Sequence, residues 1–96
     1  MKISKSNIYF HELIGLKVKI VQYSDPALVG LEGIVVDETL KTLLLEKSHG
    51  KRVRVFKANG VFEFTLPSGE KVVINGTDIS GRPWDRLKRV LKVGIR

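Results

Sequence analysis

Short runs of residues, half of them alternating between apolar and polar and most followed by a glycine-bearing turn, limit what this chain can fold into. In Leu16-Lys17-Val18-Lys19-Ile20 the aliphatic residues fall on one face of an extended strand and both lysines on the other. Arg52-Val53-Arg54-Val55-Phe56 and Phe62-Glu63-Phe64-Thr65-Leu66 alternate in the same way. Ile34-Val35-Val36 and Leu43-Leu44-Leu45 are continuous apolar runs suited to strands covered on both faces, and Val72-Val73-Ile74 is the last strand candidate. Ser48-His49-Gly50, Ala58-Asn59-Gly60, Pro67-Ser68-Gly69 and Asn75-Gly76 place glycine where a turn needs it. Six such strands in 96 residues leave too little chain for two extended sheets. The expected architecture is mainly β: a small, strongly bent, six-stranded antiparallel barrel over about residues 16–80, whose closure removes exposed edges.

Helical segments are expected on either side of this unit. Asn7 to Ile14 reads as a short helix within about residues 6–14, with Ser6 or Asn7 as N-cap and Gly15 just past its end. Pro83 suits a first helical position, Asp85 the positive end of the helix dipole, and Lys88, Arg89 and Lys92 the negative end, which predicts a basic helix over about 83–92. Trp84, Leu87 and Leu91 make its apolar stripe, leaving Arg86, Lys88, Arg89 and Lys92 on the exposed sides. With no internal repeat or linker, residues 1–96 read as one domain.

Between the first two apolar runs lie Gly30 and Gly33, which permit a bend and a close backbone approach. Asp37-Glu38-Thr39 reads as a capped loop. Asp37 and Glu38 are adjacent and point to opposite faces of an extended chain, so they do not form an acid–base pair. The chain has no cysteine, and His11 and His49 stand in no metal-ligand motif. It carries neither a nucleophile elbow nor a phosphate loop. The expectation is therefore a chain without catalytic residues of its own and without a bound metal or cofactor. No apolar run approaches a membrane span and no signal-peptide core is evident, so the expected location is cytoplasmic and no membrane partner is expected.

The net charge of +7 is segregated. Residues 1–50 hold six Lys/Arg and six Asp/Glu, whereas residues 51–96 hold eleven Lys/Arg and four Asp/Glu. Concentrated cations suit a polyanion, because each cation that neutralises a phosphate releases condensed counterions. The residues expected to contact RNA are Lys17 and Lys19 on one strand, Arg52, Arg54 and Lys57 on or beside another, and Arg82, Arg86, Lys88, Arg89 and Lys92 at the C-terminal helix. Phe10, Phe62, Phe64 and Trp84 read as core, while Phe56 shares a strand face with Arg52 and Arg54 and is not assigned to either side. No run of aromatics for reading bases appears. The pattern favours recognition of RNA shape and backbone over sequence.

An ordered set of segments adds a resemblance. His11-Glu12-Leu13-Ile14-Gly15-Leu16, Ser24 through Thr39, Phe62-Glu63-Phe64, the strand around Val72 to Ile74, and Gly81-Arg82-Pro83 followed by Asp85-Arg86 closely resemble the archaeal ribonuclease P protein component 1 family. The resemblance covers nearly the whole chain after the first few residues. It implies an Sm-like barrel and a noncatalytic subunit of the ribonucleoprotein that removes the 5′ leader of precursor tRNA. It further implies Mg²⁺ on the RNA of that holoenzyme and none bound by this chain. The implied partners are the specificity region of ribonuclease P RNA, a small zinc-ribbon protein subunit and, indirectly, precursor tRNA. Ile8, Phe10, Leu13 and Ile14 are the residues expected to meet the protein partner.

Gly33 and Asp37 resemble the first Sm motif, but Thr42 stands where the uridine-binding loop has asparagine and Ala58-Asn59-Gly60 replaces an Arg-Gly turn. A monomeric barrel within a heterodimer fits that departure better than an oligouridine-binding ring. An SH3-like protein-interaction barrel and an Sm-like RNA chaperone remain the alternatives.

Overall fold

The computed structural model describes residues 3–94, with the side chains of 90 and 92–94 outside that description. It contains strands β1 (Lys17–Tyr23), β2 (Glu32–Glu38), β3 (Thr42–Glu46), β4 (Arg52–Phe56), β5 (Gly60–Thr65) and β6 (Lys71–Asn75), then helix α1 (Pro83–Gly94). Each run singled out by alternation or apolar content lies wholly or largely in one of these strands. All neighbours pair antiparallel in the order β4-β3-β2-β1-β5-β6.

That order corrects the expected closure, because β4 and β6 are the two edges of the sheet and share no ladder. Their ends meet by another route. Beyond β4 the chain enters a 3₁₀ turn at Lys57–Asn59, and beyond β6 another at Gly76–Ile79. The turns pack so closely that a Cβ on Gly76 would lie 1.6 Å from the Lys57 carbonyl oxygen. Backbone contact between turns thus does at one end of the sheet what a ladder does in a closed barrel.

Two bulges supply local bends, one between Ile20 and Gln22 in β1 and one between Val35 and Asp37 in β2. The glycines before and within β2 have the two expected uses. Gly30 takes a φ of +90°, and Gly33 lets the β3 backbone approach, since a Cβ there would sit 2.8 Å from the Glu46 carbonyl oxygen. Leu16, Val18 and Ile20 point into the core with Phe62 and Phe64, whose ring centroids are 6.5 Å apart, while Lys17 and Lys19 face out.

The N-terminal helix is not formed. Only Ile8–Phe10 makes a 3₁₀ turn, and at His11 the backbone becomes extended, with φ −88° and ψ 156°. The reason is burial: Ile8 and Leu13 are both 0% exposed, and five residues of regular helix would turn them far apart around its axis. Leaving the helical path lets both enter the core. α1 is present, but its expected apolar stripe is wrong: Trp84 is 62% exposed and Leu91 47%, while Arg86 faces inward.

The closeness of the turns generates a prediction. Gly76→Ala forces the Lys57–Asn59 turn to move and lowers stability by at least about 2 kcal/mol, read as a reduced urea midpoint with an unchanged m-value.

Candidate nucleic-acid interface

The outer face of the sheet carries cations in a mixed setting. Following the register across the strands, Lys71, Thr65, Lys17, Ile34, Glu46 and Arg52 form one row. In the next row Val73, Glu63, Lys19 and Glu32 stand side by side. Lys19 therefore has a carboxylate on both neighbouring strands, and Arg52 Nε donates to Glu46 Oε2 at 2.9 Å. Arg54 is exposed, with Nη1 donating to Thr42 Oγ1 at 2.9 Å. Lys17, Lys19, Arg52 and Arg54 are accessible, as expected, but they alternate with acidic groups.

Two of the expected RNA contacts are not on the surface. Lys57 is 0% exposed and Arg86 2%, and both converge on Glu38. The β2 bulge at Val36 explains the carboxylate's direction. Strict alternation from the buried Val35 would turn Asp37 inward, but one unpaired residue resets the alternation, leaving Asp37 exposed and Glu38 buried. In β4, Val53 and Val55 face inward, and the same alternation carried one step further turns Lys57 in.

Within the network, Lys57 Nζ donates to Glu38 Oε2 at 2.7 Å, to the Thr39 carbonyl at 2.9 Å and to the Gly81 carbonyl at 2.8 Å. Arg86 Nη1 donates to the same Glu38 oxygen at 2.5 Å and to the Ile79 carbonyl at 3.1 Å, and also to the Gly81 carbonyl. Its Nη2 donates to the His11 carbonyl at 2.9 Å. One carboxylate thus collects two cations. The Lys57 Nζ and both Arg86 Nη groups also bind carbonyls of the loops around it, while the buried Arg86 Nε has no partner among the described residues. Burial pulls the Lys57 ammonium below the usual 10.5. The hydrogen bond and charge of Glu38 oppose that pull, while the positive charges of Arg86 and Arg89 reinforce it.

On α1, Asp85 Oδ2 accepts from the Arg82 backbone N–H at 3.3 Å, steadying the helix start. Arg82, Lys88 and Arg89 are exposed as expected. Lys88 Nζ lies 6.0 Å from the Trp84 ring centroid, and Arg89 Nη2 donates to the Ser80 carbonyl. Lys92 falls among the side chains outside the description. Of the residues expected to meet a protein partner, Ile8 and Leu13 are instead core, since both are needed to fill it, whereas Ile14 is 44% exposed and Phe10 half-buried. No group of three or more His, Asp or Glu among the described residues could hold a metal ion. None of their helices is long and apolar enough to cross a membrane.

The molecule is a small protein of one six-stranded antiparallel sheet with a basic C-terminal helix, and the comparisons with known proteins give it a family. The family model described as "Ribonuclease P/MRP, subunit p29" matches residues 6–89, and the chain belongs to that family. It is 63% identical over 90 residues to ribonuclease P protein component 1 of Desulfurococcus amylolyticus, covering 94% of this chain and 98% of that one. To the protein of the same name from Staphylothermus marinus it is 59% identical over 92 residues, covering 96% and 100%. The solved structure of Mth11, a homologue of human RNase P protein Rpp29, is similar with a TM-score of 0.59 at 43% identity, covering 79% of this chain and 97% of that one.

The buried network generates two predictions. Glu38→Gln leaves two buried cations without a countercharge and costs about 3–5 kcal/mol in chemical denaturation. Breaking the exposed Glu46–Arg52 pair costs about 0–1 kcal/mol by comparison. The second prediction concerns alkaline pH. Between the lowered folded-state value of Lys57 and 10.5 the unfolded chain holds more protons, so the stability linked to Lys57 rises with pH across that window. The parent therefore gains on Lys57→Met as pH climbs toward 10.5, measured by denaturing both in parallel. A constant difference would refute the lowered titration.

Proposed function

We propose that this chain is a noncatalytic, RNA-binding subunit of ribonuclease P that supports the catalytic RNA as it removes the 5′ leader of precursor tRNA. The observation that carries this reading is the match to the p29 subunit family over residues 6–89. In this reading the bent sheet is an open Sm-like fold acting as one copy beside a small zinc-ribbon protein subunit, which meets Phe10 and Ile14. Arg82, Lys88 and Arg89 on and beside α1 supply the main phosphate contacts, with Lys17, Lys19, Arg52 and Arg54 adding weaker ones across the mixed outer face. The RNA contacted is the specificity region, so precursor tRNA is served indirectly. The Mg²⁺ ions of the reaction belong to the RNA, and the assembly works in the cytoplasm.

Reconstitution tests the proposal. Omitting the chain raises the Mg²⁺ needed for precursor cleavage or slows cleavage at fixed Mg²⁺. Replacing Arg82, Lys88 and Arg89 by alanine lowers the slope of log affinity against log salt by about two. Cleavage that is indifferent to the chain at every Mg²⁺ concentration would overturn the reading.

A further inference from the structure

Phe56 ends β4 with its side chain 52% exposed, and among the described residues it forms no ring pair and no cation–π contact. It is not a loose surface residue. Its backbone N–H, which points off the free edge of β4, donates to the Tyr23 hydroxyl at 2.9 Å, and the next residue is the fully buried Lys57. The ring lines a cleft of about 210 Å³ together with Lys41, Lys57, Ala58, Asn59 and Ser80. That volume is below the range of pockets for drug-sized ligands and suits one planar group.

The cleft has a definite chemistry. None of its lining residues is acidic, in contrast to the outer face of the sheet. Lys41 is exposed on one side, Arg89 reaches the lip through the Ser80 carbonyl, and Arg54 shares the Phe56 side of β4. Asn59 brings a side-chain amide, which both donates and accepts. An aromatic face, an amide and flanking cations match a base attached to a phosphate backbone. Among the other exposed apolar residues, Val21, Val29 and Val73 have no π face, and the Trp84 ring is engaged by Lys88.

We propose that this cleft takes one unpaired RNA nucleotide, its base stacked on Phe56 and its phosphates beside Lys41 and Arg89. The proposal rests on the RNA-binding reading above and adds a site for single-stranded RNA to a surface otherwise suited to backbone contacts. Stacking is tolerant of sequence, so the site selects for an accessible base and not for a particular one.

The test uses the full chain with a single-stranded RNA octamer carrying one 2-aminopurine, and with the blunt duplex of the same sequence. The parent quenches 2-aminopurine in the single strand. Phe56→Leu, which keeps apolar bulk without a π face, loses that quenching and binds the single strand roughly tenfold more weakly. Its duplex affinity and its thermal unfolding stay at parental values. Lys41→Gln weakens the single strand and lowers its salt slope by about 0.7 while retaining the quenching. Parental single-strand binding and quenching by Phe56→Leu overturns this proposal alone. A parent that binds neither RNA overturns the RNA-binding reading and this site with it. If Phe56→Leu keeps all RNA binding but releases a protein of the assembly, the cleft is a protein-docking site and the proposal falls.

Discussion

The carboxylate of Glu38 is the point through which the outlying parts of this fold are joined to the sheet. It ends β2, receives Lys57 from the turn after β4 and receives Arg86 from α1. Those two cations go on to bind carbonyls at His11, Thr39, Ile79 and Gly81, so the N-terminal segment, the β2–β3 loop and the approach to the helix share one anchor. Three charges taken out of water are costly, and an apolar replacement of equal volume is often as stable. What the network supplies is position. A guanidinium with donors fixed in a plane meets this set of acceptors from few directions, which sets where α1 begins and which side it turns inward.

The same anchor decides which cations are available to a polyanion. Lys57 and Arg86 both belong to the basic second half of the chain, yet their charges are spent inside. Asp85 is the one carboxylate within α1, whereas the cations on the sheet sit beside Glu32, Glu46 and Glu63. Net charge counts all of these equally. Phosphate binding does not, because a lysine between two carboxylates attracts an anion less than one standing alone.

These facts mark what a linear reading of the chain reached. The six strands were legible because alternation reports directly on which side of a pleated sheet is buried in three of them, and short apolar runs between turns mark the other three. The inward Lys57 was legible too, had the alternation of Val53 and Val55 been carried one residue beyond the strand. Glu38 was not, since its direction depends on a bulge at Val36 that leaves no mark in an apolar run. Arg86 was hidden for another reason. A helical pattern ranks faces by hydrophobicity, which favoured Trp84 and Leu91, and the deciding partner was a carboxylate 48 positions earlier. The N-terminal segment failed similarly, because Ile8 and Leu13 are held by the core at a spacing that helix propensity does not register.

The inward lysine also bears on the outward phenylalanine. Consecutive residues of an extended strand point to opposite sides, so drawing Lys57 to Glu38 turns Phe56 toward solvent. The turn that follows is held on its inner side by Gly76, which leaves Ala58 and Asn59 exposed beside the Phe56 ring. At the free edge of the sheet, the Tyr23 hydroxyl takes up the N–H that another strand would need there. That edge is thereby less suited to adding a strand, while the aromatic face beside it stays open. A buried ion pair thus sets the direction of an exposed ring, and the chemistry of the cleft follows from the packing behind it.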